Sequence, residues 1–205
     1  MQTLLNEDKQ MCDRIDVNNL WKLFIGGDDR AYTELYNLYI DDLFAYGMCF
    51  TPDRESVKDC IQEVFISLYK NRSKQREISN IKCYLFTSLK NELFNMFKKS
   101  IEYYQIETVE PVFNVEYSVE DLFVKAETDR NNIAKVKELL EALSPKQNEV
   151  IYYRYVEEMS YDEIGELMHM NNQSVRNLVH RSIQKVRESM PRYVCFSLII
   201  FQLLG

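Results

Sequence analysis

The side chains between residues 173 and 187 have types and spacing that suit hydrogen bonding to nucleic acid. The segment carries amide, hydroxyl, guanidinium, imidazole and ammonium groups: Gln173, Ser174, Arg176, Asn177, His180, Arg181, Lys185 and Arg187. In the DNA major groove, arginine pairs with guanine, and asparagine or glutamine pairs with adenine. The later cations, Lys185 and Arg187, are expected to contact phosphate. An ordinary helical hairpin with a solvated charged face would show a similar local pattern.

Two helices joined by a tight turn are predicted to position these groups. Ser160 and Glu163 form a capping-box pattern that begins the first helix. Residues 170–172 interrupt the apolar period, and their asparagines can adopt a left-handed turn. The apolar stripe then resumes at Val175, Leu178, Val179, Ile183 and Val186. This pattern predicts a helix-turn-helix whose second helix fits a DNA major groove.

The charge distribution agrees with two surfaces for phosphate contact, although the whole chain of 205 residues has a net charge of −7. Residues 70–100 contain eight basic and two acidic residues, and residues 171–205 contain five basic and one acidic residue. Both basic segments fall on predicted helices, one in each half of the chain. Two separate contacts with nucleic acid are the simplest use of this distribution.

The predicted fold class is all-α, with two small helical domains joined by an acidic linker. Glycine (5) and proline (4) are scarce, and apolar residues recur at helical spacing. Residues 15–100 are predicted to form a four-helix domain, and residues 132–192 a helix-turn-helix domain. In the second domain, Pro145 is expected at the first position of a helix that precedes the helix-turn-helix.

The linker and the tail are distinguished by composition. Residues 101–131 lose the helical period and are acidic, but aromatic residues such as Phe113 indicate that part of this segment docks on a domain. Residues 193–205 are almost wholly apolar, and their apolar run is shorter than the about 20 residues that span a bilayer. We expect this tail to pack on its own domain, with a partner or a membrane surface as the alternative.

Several chemistries are not supported by the sequence. Its five cysteines include no CxxC pair, which indicates buried thiols in a reducing compartment rather than a disulfide frame or a zinc site. No P-loop, GxSxG or HExxH pattern is present. The expectation is therefore a protein that is not an enzyme and has no metal or cofactor. A polar, acidic N-terminus without a signal peptide predicts a cytoplasmic protein.

Nearly the whole chain, about residues 17–190, resembles a known family. Residues 59–65 (DCIQEVF) resemble the DLVQEVF segment of bacterial sigma-70 factors, and Tyr84, Asn91, Asn95 and Lys98 follow a second motif of that family. The segments LSP (143–145), RYVE (154–157), SYDEI (160–164), SVR (174–176) and HR (180–181) continue the likeness in order. The chain is therefore similar to sigma factors of the compact extracytoplasmic-function (ECF) group.

Some positions depart from the family pattern. Tyr84 stands where tryptophan is usual, and Asn95 where aspartate is usual. Gly165 replaces the usual alanine, and His169 replaces the usual glycine. The glycine exchange is expected to be harmless, whereas the others would alter which bases are read.

The resemblance implies a function and three binding surfaces. Sigma factors bind core RNA polymerase, place it at a promoter, and help to open the DNA there. The polymerase-binding residues would be Asp59, Gln62 and Glu63. The residues for the −10 element would be Lys82, Tyr84, Lys90, Asn91, Asn95, Lys98 and Lys99, with aromatic faces such as Phe86 nearby. The residues for the −35 element would be Arg154, Gln173, Ser174, Arg176, Asn177, His180, Arg181 and Lys185.

The resemblance also implies core RNA polymerase, promoter DNA and a membrane-bound anti-sigma factor as partners, with no small-molecule substrate. Such an anti-sigma factor would hold the cytoplasmic protein at the inner membrane. Two alternatives remain at this stage: a helix-turn-helix regulator that never joins polymerase, and an interaction protein that uses its apolar tail on a membrane partner. The first leaves the motif at residues 59–65 unexplained.

Overall fold

The computed structural model describes residues 16–72, 78, 80–104, 112–114 and 141–189. These ranges contain helices and connecting turns but no strand, which confirms the predicted all-α class. The helices are α1 (Val17–Gly26), α2 (Asp29–Met48), α3 (Arg54–Lys70), α4 (Ile81–Tyr104), α5 (Pro145–Tyr155), α6 (Tyr161–Met168) and α7 (Asn172–Ser189).

Short polar side chains begin the helices of the N-terminal half. Asp16, Asp28 and Asp53 precede α1, α2 and α3, and each carboxylate accepts a backbone N–H bond from the first helical turn. At the start of α4, the Asn80 Oδ1 atom accepts a bond of 3.0 Å from the backbone nitrogen of Cys83. Gly27 ends α1 in a left-handed conformation with a φ of 103°, which glycine adopts without steric cost.

Capping boxes begin α5 and α6, as the sequence predicts. Ser144 pairs with Gln147, and Ser160 pairs with Glu163. The predicted helix-turn-helix is confirmed as α6 and α7.

The prediction that an asparagine takes the left-handed turn is wrong. His169 has this conformation, with a φ of 52°. The Asn171 side chain instead accepts a bond of 2.8 Å from the backbone nitrogen of Ser174 at the start of α7.

The turn also corrects the expectation for Gly165. A Cβ atom added at this position would lie 2.7 Å from the backbone oxygen of Met170. The Met170 nitrogen donates a bond of 2.9 Å to the Gly165 oxygen, so the backbone at these two residues is already in close contact. Alanine would force the turn to move, so alanine and glycine are not interchangeable at this position of the chain.

The N-terminal unit is formed by α1–α4, in which α2 packs against α1, α3 and α4. The C-terminal unit is formed by α5–α7, whose buried side chains include Val150, Ile164 and Val175. These units are joined by one continuous apolar cluster, and α4 contacts α6 directly. The domain limits 15–100 and 132–192 stay predictions, although α4 continues to Tyr104.

Part of the predicted linker docks as expected. Phe113 is only 4% exposed, and the backbone nitrogen of Asn114 donates a bond of 2.7 Å to the Cys49 oxygen. Residues 132–140, which begin the predicted helix-turn-helix domain, lie outside the described residues. The rest of the linker and the apolar tail also lie outside them.

Candidate polymerase and nucleic-acid interfaces

The predicted DNA-reading side chains of α7 lie on one exposed face. Val175, Leu178 and Val179 are buried on the opposite face, against the rest of the C-terminal unit. The exposed residues are Gln173, Arg176, Asn177, His180, Arg181, Lys185 and Arg187. Ser174 is half-buried. This arrangement leaves the polar side of α7 available to a DNA groove.

Several of these side chains are already ordered along the helix. The Gln173 Nε2 atom donates a bond of 3.0 Å to the Asn177 Oδ1 atom. The Arg176 Nε atom donates a bond of 2.6 Å to the Asn172 Oδ1 atom. The Arg176 guanidinium also lies 4.5 Å from the centroid of the Tyr161 ring. A side chain that is ordered before binding loses less conformational entropy when it contacts a base.

Tyr161 is a contributor that the sequence reasoning missed. Its ring lies between two cations, with the Arg154 guanidinium 5.0 Å and the Arg176 guanidinium 4.5 Å from its centroid. The Arg154 Nη1 atom donates a bond of 2.8 Å to the Met159 oxygen, and Arg154 is half-buried. Arg154 therefore supports the loop before α6, in addition to its predicted role at the −35 element. The only sign of this role in the sequence is an aromatic residue directly after the Ser160 cap.

The predicted polymerase face is exposed on α3. Asp59, Gln62 and Glu63 are all exposed, whereas the apolar side of the helix is buried through Val57, Ile61, Val64 and Leu68. The helix is anchored at its start by Asp53, whose hydrogen bonds from Ser56 hold the pKa of its carboxyl below the ordinary value. The face presents carboxylate and amide acceptors that suit arginine donors.

The predicted −10 residues on α4 fall into two groups. Asn91, Asn95, Lys98 and Lys99 are exposed and recur on one side of the helix. Tyr84 is half-buried against the core, and Phe86 is fully buried. Phe86 therefore offers no face to a DNA base in this arrangement, contrary to the expectation from its position in the sequence.

Lys82 and Lys90 form ion pairs with the C-terminal unit. The Lys82 Nζ atom lies 2.9 Å from the Glu157 Oε2 atom and donates a bond of 2.8 Å to the Glu157 backbone oxygen. The Lys90 Nζ atom lies 2.6 Å from the Glu149 Oε1 atom. Glu157 and Glu149 are only 6% and 8% exposed. Burial raises the pKa of the Glu157 carboxyl, while the Lys82 ammonium opposes that rise.

An aromatic seam lies beside these ion pairs. We define the seam as Tyr46, Phe50, Phe86, Phe113, Tyr152 and Tyr153. The Tyr46 ring centroid lies 4.8 Å from that of Phe86 and 5.7 Å from that of Tyr153. The Phe113 ring packs between Phe50 and Tyr152, at 5.3 and 5.6 Å. The linker and both units thus contribute rings to the same contact.

The starts of α4 and α7 are brought close together through α6. The Asn80 amide donates to the Glu163 carboxylate across the two units. Asp162 directly precedes Glu163 in α6, and its Oδ1 atom accepts a bond of 2.7 Å from the Asn172 amide at the start of α7. The start of α4, where the predicted −10 surface begins, is therefore linked to the start of α7, where the predicted −35 surface begins.

The sequence reasoning missed every acceptor on the C-terminal side of this contact, namely Glu149, Glu157 and Glu163. Glu163 was identified only as a cap. The sequence offers one weak signal for these acceptors. Glu149 and Glu157 have no basic residue three or four positions later that could pair with them along a helix. Within the described ranges, no cluster of three or more histidine, cysteine or acidic side chains is placed to hold a metal. None of the described helices is long and apolar enough to cross a membrane.

The N-terminal and C-terminal units each match a known protein family. Residues 35–100 match the family "Sigma-70 region 2", and residues 133–186 match "Sigma-70, region 4". The RNA polymerase sigma factor YlaC of Bacillus subtilis is 24% identical over 165 residues, which cover 78% of this chain and 91% of that protein. The ECF sigma factor SigM of the same organism is 21% identical and covers 78% of this chain and 96% of its own length.

Solved structures share the fold. CnrH, in complex with the cytosolic domain of CnrY, has a TM-score of 0.55 at 18% identity and covers 82% of this chain and 93% of its own. The sigma factor RpoE of Bartonella quintana, in complex with the anti-sigma factor NepR, has a TM-score of 0.54 at 18% identity, with coverages of 77% and 95%. With both region matches in the predicted order, the chain belongs to the sigma-70 family of RNA polymerase sigma factors, in its ECF group.

Proposed function

We propose that this sigma factor acts through three separate surfaces, one for polymerase and two for promoter DNA. As a member of its family, the protein binds core RNA polymerase and directs promoter-specific initiation of transcription. The assignment of individual residues to each surface is our proposal. It is supported by their exposure, chemistry and position on the helices.

The polymerase surface is the exposed face of α3. Asp59, Gln62 and Glu63 lie within one and a half helical turns and have no described partner that would remove them from solvent. Their acceptors suit a basic surface of the large polymerase subunit, where charge-assisted hydrogen bonds are stronger than neutral ones. The buried side of α3 fixes the orientation of this face.

The −10 surface runs along α4 and begins near Lys82 and Tyr84. Its exposed part holds Asn91, Asn95, Lys98 and Lys99, which supply amides and cations for a separated DNA strand. Lys82 and Lys90 belong to the same helix but are partly covered by the C-terminal unit, and Tyr84 is half-buried against the core. Holding one strand by its phosphates and unstacked bases would favour the open form of the promoter.

The −35 surface is the exposed face of α7. Arg176 and Asn177 lie near the start of the helix, where side chains of a recognition helix reach base edges. Gln173, Ser174, His180 and Arg181 surround them, while Arg154 and Lys185 lie toward the DNA backbone in this proposal. Bidentate contacts of Arg176 or Asn177 would each discriminate between bases by about 1–3 kcal/mol.

One observation carries the proposal: a single chain combines the exposed acceptor face of α3 with the exposed basic face of α7. A regulator that acts without polymerase would need the second surface but not the first. We assign no catalytic role, because every surface described acts by binding. We further propose that the protein works in the cytoplasm and binds an anti-sigma factor; the similar sigma factor RpoE was solved in complex with the anti-sigma factor NepR.

Direct binding to purified core polymerase tests this proposal. The variant Asp59→Ala/Glu63→Ala should lose most of the binding while retaining the wild-type helical content. The matched control is Glu55→Ala/Lys58→Ala, which removes an exposed ion pair from the same helix. Wild-type binding by the Asp59→Ala/Glu63→Ala protein would overturn the assignment of the α3 face.

A further inference from the structure

The Arg176 side chain is held by two residues that are not among the predicted DNA contacts. Its Nε atom donates a bond of 2.6 Å to the Asn172 Oδ1 atom, and its guanidinium lies 4.5 Å from the centroid of the Tyr161 ring. Within the described ranges, its two Nη groups have no hydrogen-bond or ion-pair partner. The end of the guanidinium that carries both Nη groups is therefore left for a ligand.

The Tyr161 ring is itself fixed in place. It is half-buried and packs against the apolar core. The Arg154 guanidinium lies 5.0 Å from the centroid of the same ring, and the Arg154 Nη1 atom donates a bond of 2.8 Å to the Met159 oxygen. The ring is thus held by the core and by a cation that is bonded to the backbone. It can restrict the Arg176 guanidinium instead of moving with it.

The Asn172 amide is fixed as well. Its Nδ2 group donates a bond of 2.7 Å to the Asp162 Oδ1 atom. This bond determines which end of the amide faces Arg176, because the carboxylate accepts only from the NH2 end. The amide oxygen is therefore directed at the arginine. A reversed amide would place donors against the guanidinium and would not hold it.

We propose that Tyr161 and Asn172 are positioning residues that restrict Arg176 to one guanine of the −35 element. Asp162 assists by fixing the amide of Asn172. With its Nε atom occupied, the arginine still offers two Nη groups to the O6 and N7 atoms of guanine, and no other base presents two such acceptors in the major groove. This inference rests on the proposed function of the −35 surface. It deepens that function because the choice of base then depends on side chains that touch no DNA.

The restriction favours discrimination between bases more than overall affinity. A free arginine side chain has many rotamers and can turn to a neighbouring phosphate, which is a contact that carries no sequence information. Ordering the side chain before binding lowers the entropic cost of the guanine contact and removes such alternatives. If Tyr161 and Asn172 only packed α6 against α7, their loss would weaken binding to all sequences alike.

The test uses the full chain bound to core polymerase and a duplex library of random sequence. The variants are Tyr161→Leu and Asn172→Ala, each alone and each combined with Arg176→Ala. Tyr161→Phe is the conservative variant, since it keeps the ring. Glu166→Ala is the matched control, because it changes an exposed side chain of the same helix-turn-helix. Helical content is measured for every variant.

Arg176→Ala first identifies the base position that Arg176 reads. At that position, we expect Tyr161→Leu and Asn172→Ala each to lower the preference for guanine by at least about threefold, in the range of coupling between contacting residues. Preferences at the other positions should stay as in wild type, and Tyr161→Phe and Glu166→Ala should retain the guanine preference. Neither Tyr161→Leu nor Asn172→Ala should change base preference further when Arg176→Ala is already present.

Hydrogen exchange at the Arg176 Nε–H group tests the positioning contact without DNA. Its NMR signal in the full chain is identified by its loss in Arg176→Lys. We expect exchange with solvent to be at least about threefold faster in Asn172→Ala and Asp162→Ala than in wild type, because a hydrogen-bonded N–H must open before it exchanges. Asp162→Asn keeps an acceptor oxygen and should stay slow. Equal exchange in wild type and Asn172→Ala would overturn the inference.

The library separates this inference from the proposed function. If Arg176→Ala loses a guanine preference that Tyr161→Leu and Asn172→Ala both retain, the positioning role is overturned and the −35 surface stands. The positioning role is also overturned if the two variants lower base preference equally with and without Arg176. If Arg176→Ala changes no base preference, the assignment of Arg176 to the −35 element falls together with this inference.

Discussion

The hydroxyl oxygens of Tyr46 and Tyr153 lie 2.6 Å apart in a site that solvent does not reach. Tyr46 belongs to α2 and Tyr153 to α5, so this bond joins the N-terminal and C-terminal units. Burial raises the pKa of both phenols well above the ordinary value, and the nearby Glu149 carboxylate adds to the rise. Both hydroxyls therefore remain protonated at neutral pH and can serve as hydrogen-bond donors.

Replacement of one tyrosine of this pair should cost stability. Tyr153→Phe leaves the Tyr46 hydroxyl buried without that partner, and we expect a loss of about 1–3 kcal/mol in the free energy of unfolding. Tyr46→Phe/Tyr153→Phe should cost less than the two single changes together, because neither hydroxyl is then stranded. Urea unfolding of the four proteins measures the coupling. Tyr36→Phe, at an exposed tyrosine, serves as the control, and strict additivity of the two single changes would contradict the prediction.

A methyl group at Gly165 should destabilise the helix-turn-helix. In Gly165→Ala, the added Cβ would lie 2.7 Å from the Met170 oxygen, and overpacking of this kind costs about 1–3 kcal/mol. Gly26→Ala is the matched control, since a Cβ there has no neighbour within 4 Å. Thermal unfolding should show a lower midpoint for Gly165→Ala only. A midpoint at or above that of wild type would show that the turn accommodates alanine.

The cap of α6 should contribute a stability that depends on pH. Burial alone would raise the pKa of Glu163, but hydrogen bonds from Ser160 and Asn80 outweigh it, and the folded pKa lies below the ordinary value. A carboxyl with a lowered folded pKa stabilises the protein above its unfolded pKa of about 4.3 and loses that effect as the pH falls through the folded value.

Glu163→Gln should therefore be less stable than wild type at pH 7 by about 0.3–1 kcal/mol, the usual worth of an acid in the first turn of a helix. The difference should shrink as the pH falls below the ordinary carboxyl pKa of about 4.3 and then through the lower folded pKa, because the wild-type carboxyl is neutral only below the folded value. Denaturant unfolding of both proteins between pH 3 and pH 7 checks this. A difference of the same size at both ends of the range would exclude a charge effect.

Two arginines of α7 should affect DNA binding differently. Arg176→Ala should reduce affinity for the −35 duplex by about 1–3 kcal/mol and relax base preference, because Arg176 lies near the start of the recognition helix. Arg187→Ala should weaken binding to all sequences about equally and lower the salt dependence, as expected for a phosphate contact. Binding of the polymerase holoenzyme to duplex libraries at two salt concentrations measures both. Equal loss of base preference in the two variants would contradict these roles.

The sequence predicts the local structure of this protein well, because caps and periodicity are local signals. Ser160 with Glu163, and Pro145 after Ser144, place the starts of α6 and α5 where the structure has them. The exposed face of α3 follows from the spacing of Val57, Ile61 and Val64 alone. The start of a helix and its buried face are thus predictable, because both are determined by residues close together in the sequence.

The contact between the units could not be predicted in this way. Lys82 and Glu157 are 75 residues apart, and Tyr46 and Tyr153 are 107 residues apart. Nothing in the local pattern of either residue indicates its partner. The same applies to Gly165, whose requirement arises from the path of the turn at Met170 rather than from helix propensity.

Transcription by purified core polymerase on fragmented genomic DNA of the host tests the central claim most directly. With this protein added, we predict new transcripts whose start sites share two upstream elements, and we predict their loss with Asp59→Ala/Glu63→Ala. DNA binding without any polymerase-dependent transcript would contradict the account of this chain as a sigma factor that works through α3, α4 and α7.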